Sequence, residues 1–253
     1  ITGDVTTLMI FLGGHVHISE LLMLFIPSAV SVILLATLFS LKAEGVVTTT
    51  PIKHSYQTVD LLIDLVFCCT ILMTMLLNIL FGIPPVLTFL TGLSIMFLIG
   101  HTTRSDKEEI KILEYIRQVE YDTLLFFLGI LLLVGMLKEI GTLDILTEAY
   151  SLFNPNISNF VTGMGSALID NVPLTAALLK AEPVLNTPEW LGLTYSVGVG
   201  GSLLVIGSAA GIVAMSKVKE LTFVSYLKYV PALFLCYSVG YALTLFLAYN
   251  FFA

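Results

Sequence analysis

Long apolar runs separated by short polar stretches dominate the chain and predict several membrane-spanning helices. The clearest runs cover residues 18–41, 61–81, 84–100, 123–137 and 223–251. An α-helix needs about 20 apolar residues to cross a bilayer, so these runs are long enough to cross it or nearly so. The pattern therefore predicts an all-α polytopic membrane protein.

Two segments depart from this pattern. Between residues 141 and 188 the apolar runs are short and are interrupted by Asn, Pro, Gly and charged residues, so no clean span can be drawn. Two short helices meeting at a polar tip would fit there, which predicts a re-entrant hairpin over residues 156–184. Residues 190–215 are long enough to span, but glycines and serines crowd their middle. This composition predicts a discontinuous helix.

The distribution of basic residues predicts the orientation. If the 42–58 loop is cytoplasmic, nine of the 11 Lys and Arg residues lie on the cytoplasmic side, and only Lys138 and Lys180 lie outside. Cytoplasmic loops are enriched in these residues, so the bias supports this orientation. A single full crossing over 156–184 would reduce it to six against five. Residues 102–122 are the most charged segment, and their apolar spacing predicts an amphipathic helix on the cytoplasmic side.

Composition narrows the class of protein further. Hydrophobic residues make up 57% of the 253 residues and charged residues 11%, which is too little charge for the surface of a soluble domain. The formal net charge of −7 and the lack of a basic patch argue against nucleic acid as a partner. The apolar pattern begins at once after Ile1, so we expect the chain to start partway through a larger protein.

Two acidic residues next to apolar runs are candidates for chemistry. Asp170 lies inside the predicted hairpin and Asp4 just before the first apolar run. A charge at mid-membrane costs about 2.5–3.5 kcal/mol on insertion scales, so it is a functional candidate by default. The alternative for Asp170 is a helix cap or a carboxylate that faces a loop, and the same alternative applies to Asp4.

The neighbours of Asp170 suit a small hard cation. Asn171 offers a carbonyl oxygen and Ser166 a hydroxyl, and oxygen atoms are the usual ligands of hard cations. Unwound backbone around Gly200–Ser202 and Gly207–Gly211 would add carbonyl oxygens, although these small residues would also suit close helix packing. A desolvated carboxyl can hold an exchangeable proton, which bound sodium would displace. Competition for one carboxylate is the simplest antiport mechanism.

Two sequence segments carry a resemblance to a known family. Ser-Ala-Leu-Ile-Asp-Asn-Val-Pro-Leu-Thr-Ala-Ala (166–177) and Gly-Gly-Ser-Leu-Leu-Val-Ile-Gly-Ser-Ala-Ala-Gly (200–211) resemble the signature segments of NhaD-type sodium/proton antiporters, in the ion transporter superfamily. Gly3-Asp4-Val5-Thr6-Thr7 is similar to the broken helix in the first half of that family. Residues 124–131 are similar to a segment shared more widely, including with arsenite transporters.

The resemblance implies one half of an inverted-repeat transporter. Residues 1–17 would end the first repeat's broken helix, 18–122 would form scaffold helices, and 123–253 would form the second repeat. The ion and proton site would combine residues of both repeats, and sodium itself would contact Asp4, Asp170 and Asn171. The full set implied for the site is Asp4, Thr6, Thr7, Ser166, Asp170, Asn171, Ser202 and Ser208.

The same resemblance implies a homodimer in the lipid of the cell inner membrane, without enzymatic activity and without a redox or organic cofactor. Sodium, or lithium, would be the substrate. The first hairpin of the family does not occur in this sequence, so a complete site would need an N-terminal repeat. Two alternatives stay open: an anion carrier for arsenite or a dicarboxylate, which a basic residue at the hairpin tip would favour, and a truncated scaffold that does not transport.

Overall fold

The computed structural model describes residues 5–41, 58–103, 121–208, 211, 214–215, 218 and 221–252. Every regular element in these ranges is helical. The chain forms two compact units, one of Gly45–Leu124 and one of Ile1–Glu44 with Leu125–Ala253. Asp4 and most of the predicted amphipathic helix, residues 104–120, lie outside the described residues.

The first of these units is a helical hairpin. Helices α4 (Thr58–Phe81) and α5 (Pro85–Thr103) pack against each other and are joined by a tight turn. Gly82 occupies the left-handed region there, with φ at 65°, a conformation that costs little without a Cβ atom. The side chain of Asn78 donates to the carbonyl of Ile83 at 3.1 Å and closes the turn. The breaker residues Gly82, Ile83, Pro84 and Pro85 thus mark a tight turn between the two apolar runs.

The other unit begins with short helices and one long apolar helix. Its elements are α1 (Val5–Leu12), α2 (Ile18–Met23), α3 (Phe25–Ser40), α6 (Tyr121–Glu139, which joins this unit from Leu125) and α7 (Asp144–Leu152). The predicted span over 18–41 is present, although a turn at Leu24 divides it into α2 and α3.

The same unit continues with the segments for which the sequence predicts a hairpin and a broken helix. They form α8 (Pro155–Gly165), α9 (Asn171–Ala181), α10 (Thr187–Gly200), two 3₁₀ turns (Gly201–Leu203 and Val205–Gly207), α11 (Phe223–Leu227) and α12 (Val230–Phe252). The predicted final span over 223–251 is present as α12, although a turn at residues 228–229 separates α12 from α11. Pro231 accounts for the break, since it has no amide hydrogen to donate to the preceding turn.

Three helical segments among the described residues are long and apolar enough to cross a membrane: Ile18–Ser40, Leu61–Phe81 and Val230–Phe252. A fourth segment, Pro85–Ile99, is apolar but shorter. Their outward surfaces are rich in large apolar side chains such as Phe25, which is 75% exposed. A soluble protein rarely presents so much contiguous apolar surface to water. The predicted all-α polytopic membrane fold is confirmed, whereas the inverted repeat and the re-entrant course of the hairpin remain predictions.

Candidate functional site

Helices α8 and α9 are connected by residues 166–170 and form a hairpin whose open ends are held together by α7. The hydroxyl of Tyr150 donates to the side-chain oxygen of Asn159 near the start of α8, at 2.8 Å. The hydroxyl of Thr147 donates to the carbonyl of Ala181 at the end of α9, at 2.9 Å. Tyr150 and Thr147 are one turn apart on α7. The start of α8 and the end of α9 therefore lie side by side, and residues 166–170 form the tip.

Helix α10 runs parallel to α8, and its C-terminal end lies beside that tip. Near the start of both helices, the Asn159 side chain donates to the carbonyl of Glu189 at 2.8 Å. Near their ends, the Ser166 hydroxyl lies 3.1 Å from the carbonyl oxygen of Val197. The C-terminal end of α10 and the hairpin tip are consequently at the same level.

The α-helical hydrogen bonding of α10 stops beside the tip. After Gly200 the chain makes a 3₁₀ turn, becomes extended at Leu204 (φ −121°, ψ 147°), makes a second 3₁₀ turn and is extended again at Ser208. The discontinuity thus falls within the glycine- and serine-rich stretch that predicted it. Such breaks leave backbone groups without helical partners and are common at functional sites.

Glycines allow the tip and the break to meet through their backbones. A methyl group added to Gly200 would collide with the carbonyl oxygen of Gly163. One added to Gly207 would lie 2.6 Å from the carbonyl oxygen of Ala167, and one added to Gly201 2.7 Å from that of Gly207. Real Cβ atoms are not found so close to an oxygen, so only glycine fits at these positions.

Asp170 is the residue before the first turn of α9, which is the N-cap position. Its side chain makes no capping hydrogen bond to that helix, although the residue does take part in another interaction. Both Asp170 and Asn171 are half-buried. The positive end of the α9 dipole points at this position and favours an anion there. Asp170 therefore occupies the N-cap position of α9 without making the capping hydrogen bond.

Helix α1 runs beside α9 in the same direction. Met9 packs against the small cluster that contains Ala176, and a methyl group on Gly13 would lie 3.2 Å from the Leu179 side chain. One turn back from Met9, Thr6 is therefore level with the first turn of α9. Thr6 is fully buried, Thr7 is half-buried, and both take part in interactions. Both threonines thus lie on the part of α1 that is closer to the N-terminal end of α9.

The three candidate serines differ in their surroundings. Ser166 is fully buried and donates to the carbonyl of Gly163 at 2.8 Å, which leaves its oxygen able to accept or to coordinate. Ser208 is half-buried and its hydroxyl accepts from the amide of Gly211 at 3.2 Å. Ser202 is exposed, and its carbonyl accepts from the hydroxyl of Tyr226 in α11 at 2.5 Å. Of the three, Ser166 is part of the tip itself.

Tyrosines on α12 support the hairpin, and the sequence reasoning missed them. The hydroxyl of Tyr237 donates to the carbonyl of Phe160 at 2.7 Å, and that of Tyr241 to the carbonyl of Asn156 at 2.6 Å. The Asn156 side chain donates to the hydroxyl of Tyr249 at 3.0 Å. Their spacing of four and eight residues places all three tyrosines on one helix face, a signal that the sequence does contain.

A cavity of about 440 Å³ lies between α1, α6 and α9. His15, which lines the cavity, stacks on Trp190 with ring centroids 3.9 Å apart. Burial lowers the pKa of the His15 imidazole, with Glu182 acting in the opposite direction. The Lys138 ammonium lies 3.0 Å from the Glu182 carboxylate and holds the pKa of that carboxyl below its usual range. This pair ties α6 to the end of α9.

Comparisons with known proteins agree with these features. Residues 1–198 match the family model described as the citrate transporter family. The chain is 32% identical to the Na(+)/H(+) antiporter NhaD of Vibrio parahaemolyticus, over 95% of this chain and 64% of the relative. It is 34% identical to NhaD of Alkalimonas amylolytica, over 97% of this chain and 57% of the relative. It is also 32% identical to sodium/proton antiporter 2 of Arabidopsis thaliana, over 86% of this chain and 56% of the relative. No solved structure matches.

Proposed function

Because this chain is an NhaD-type member of the citrate transporter family, we propose that the complete protein exchanges sodium or lithium ions for protons across the cell inner membrane. The chain spans about three fifths of the length of the NhaD relatives it matches, so the proposal concerns the whole protein. These relatives are named as sodium/proton antiporters and come from bacteria and a plant, which supports the proposal. We place the chain among transporters rather than enzymes and invoke no group beyond the transported ions.

The observation that carries the proposal is the position of Asp170. This carboxylate lies at the tip of the α8–α9 hairpin, and the same tip packs against the broken end of α10 through backbone contacts at glycine. A charged side chain beside unwound backbone, inside an otherwise apolar bundle, is the usual composition of an ion site in secondary transporters.

We assign the two transported ions to one carboxylate. Sodium would bind the ionised Asp170 with the carbonyl oxygen of the Asn171 side chain and oxygens of the neighbouring backbone, all of which are hard ligands. Protonation of the same carboxyl would remove the charge that offsets sodium desolvation. The two ions therefore compete for the site, and each is released when the other binds.

The remaining predicted ligands belong to the same proposal. Thr6 and Thr7 would contribute from α1, Ser166 from the tip, and Ser202 and Ser208 from the break, with Asp4 outside the described residues. We further propose that an N-terminal repeat completes the site and that the protein forms a homodimer in the membrane.

The family description raises the possibility of an anionic substrate, but the tip does not favour one. No Lys or Arg occurs in residues 166–171 or 200–211. Lys180 lies nine residues beyond Asn171 on α9, about 13 Å along the helix axis at its rise of 1.5 Å per residue. A basic residue at the tip would favour an anion such as arsenite or a dicarboxylate, and none is present there, so the cation is the better match.

Sodium-driven proton flux in vesicles that contain the complete protein tests this function. Asp170→Asn keeps the shape and one oxygen but cannot hold an exchangeable proton, so we expect flux to fall below detection while the protein still folds. Asn171→Ala should weaken apparent sodium affinity by about 1–2 kcal/mol, the order of one lost polar contact. Asp144→Asn makes the same change at an exposed position in α7 and should have no effect. Robust flux in Asp170→Asn would remove the basis of the proposal.

The predicted re-entrant course of the hairpin has its own test. Single cysteines at Asn156 and Lys180 should both react with impermeant reagents added from outside. Their open-end positions beside α7 support this expectation, because the two ends of the hairpin lie together. Labelling of the two positions from opposite sides of the membrane would contradict it.

A further inference from the structure

The cavity between α1, α6 and α9 leads towards the proposed ion site. Its walls are mostly apolar and come from all three helices, whereas its charged rim consists of Lys180 and Glu182, with His15 beside them. Nothing in the proposed exchange of ions at Asp170 accounts for this space. Its volume of about 440 Å³ is room for several water molecules, each of which occupies about 30 Å³ in the liquid.

The depth of the cavity follows from the two parallel helices that line it. Among the residues that line it, Met9 on α1 and Ala176 on α9 are the ones nearest in sequence to Thr6 and Asn171. Thr6 is one turn further along α1, and Asn171 is five residues further along α9. At 1.5 Å per residue these steps are about 4.5 and 7.5 Å, so the cavity ends roughly one helical turn from the site.

The opposite end of the cavity lies at the open end of the hairpin. Glu182 lines the rim and forms the ion pair with Lys138, and Lys180 lies beside it. Lys138 and Lys180 are the two basic residues that the charge distribution places on the outer side of the membrane. The cavity therefore extends from the predicted outer face to the neighbourhood of Asp170.

We propose that this cavity is the access route by which water and cations from the outer side reach Asp170. The inference rests on the proposed function, because it assumes that an ion site exists at the tip. Two apolar residues that line the cavity, Val134 and Ala176, are buried, at 4% and 3% exposed. Apolar walls of this kind admit water only when they separate, and so can gate an ion route by dewetting.

Cysteine accessibility in the complete protein tests the route. Cys68, Cys69 and Cys236 are first replaced by serine. Met9→Cys then places a thiol on the cavity wall, and Met23→Cys places one at a half-buried methionine that packs against the main core and does not line the cavity. With a membrane-impermeant cationic thiosulfonate added outside right-side-out vesicles, we expect Met9→Cys to react at least about tenfold faster, a margin of roughly 1.4 kcal/mol in activation free energy.

Modification should also lower flux in Met9→Cys and leave it unchanged in Met23→Cys. Equal, slow reaction of the two cysteines, or reaction of Met9→Cys only from inside, would overturn the inference. Reactivity is measured without an ion gradient, so it does not depend on exchange. Loss of flux in Asp170→Asn with an unreactive Met9→Cys would refute the route alone. Persistent flux in Asp170→Asn with a reactive Met9→Cys would refute the assigned role of Asp170 and retain the route.

Discussion

Two pairs of helices in this protein approach each other closely at glycine, and they do so against different kinds of neighbour. In the α4–α5 hairpin, a methyl group on Gly92 would collide with the side chain of Thr70. Between α8 and α10, a methyl group on Gly200 would collide with the main-chain carbonyl of Gly163. The Thr70 side chain can rotate or be replaced by a smaller one. The Gly163 carbonyl belongs to the backbone of α8 and is held in place by that helix.

This difference in the neighbouring atoms distinguishes the α4–α5 hairpin from the candidate site between α8 and α10. Helices α4 and α5 are regular and apolar, and their glycine only improves the fit of two spans. Helices α8 and α10 are short, and their glycines bring the backbone of the tip onto a break in the partner helix. Close packing resists added volume most where the neighbouring atoms cannot move. We therefore expect a glycine-to-alanine substitution near the tip to reduce the free energy of unfolding more than the same substitution in the α4–α5 hairpin.

The largest effect is expected for Gly200→Ala. Its methyl group would overlap the Gly163 carbonyl, so α8 and α10 would have to separate. We expect destabilisation of more than about 3 kcal/mol, above the usual range for overpacking, and loss of folded protein on heating in detergent, measured by size-exclusion chromatography. Gly165→Ala is the matched control, because a methyl group there meets nothing within 4 Å. If Gly200→Ala were as stable as the unmodified protein, the contact between α8 and α10 would be no more rigid than the one between α4 and α5.

Gly92→Ala should have a smaller effect that can be rescued. We expect a cost of about 1–3 kcal/mol from contact with the Thr70 side chain. Thr70→Ala removes the atoms that collide, so the double variant should be more stable than Gly92→Ala alone. A double-mutant cycle by thermal unfolding measures this coupling. Additive losses would show that the α4–α5 contact is as rigid as the one at the tip.

Tyr241→Phe should cost about 1–2 kcal/mol, because the carbonyl of Asn156 loses a donor in a partly buried setting. This change tests whether the position of α8 depends on α12 as well as on α10. Tyr229→Phe is a control at a tyrosine that is 44% exposed. Unfolding midpoints in detergent provide the comparison, and equal midpoints for the two variants would argue against a supporting role for α12.

Glu182→Gln should have the smallest effect. The ion pair with Lys138 is exposed, and exposed pairs contribute little to stability because water and salt screen them. Lys138 lowers the pKa of Glu182, so the contribution of this pair is present at neutral pH and disappears only as the pH falls through the lowered pKa. We expect an unchanged unfolding midpoint at pH 7. A large drop in the midpoint would show that the Lys138–Glu182 pair contributes substantially to stability.

The sequence predicted well those features that depend on local pattern. The spans follow from runs of apolar residues, the turn at Gly82 from its breaker residues, and the discontinuity after Gly200 from the local crowding of glycine and serine. Asp170 stays a prediction, made because a charge is costly in an apolar bundle. The division of the last helix could also have been predicted, since Pro231 lacks the amide hydrogen that a continuous helix requires.

Features that depend on contacts between distant segments could not be predicted in the same way. The parallel packing of α8 on α10 rests on Asn159 reaching Glu189, and the position of α1 on Met9 meeting the cluster around Ala176. Neither contact has a periodic signal in the sequence. The cavity is likewise defined by three helices that are far apart in the chain, and the pairing of Lys138 with Glu182 depends on how they pack.

The tyrosines of α12 have a mechanical consequence for the hairpin. Hydrogen bonds from Tyr237 and Tyr241 attach α8 to α12 at two places one turn apart, and Asn156 adds a third bond to Tyr249. Helix α9 has a different attachment, with its far end fixed to α7 through Ala181. The hairpin therefore has two separate supports. A displacement of α12 would reach the tip beside Asp170 through α8, whereas a displacement of α7 would act on both arms of the hairpin.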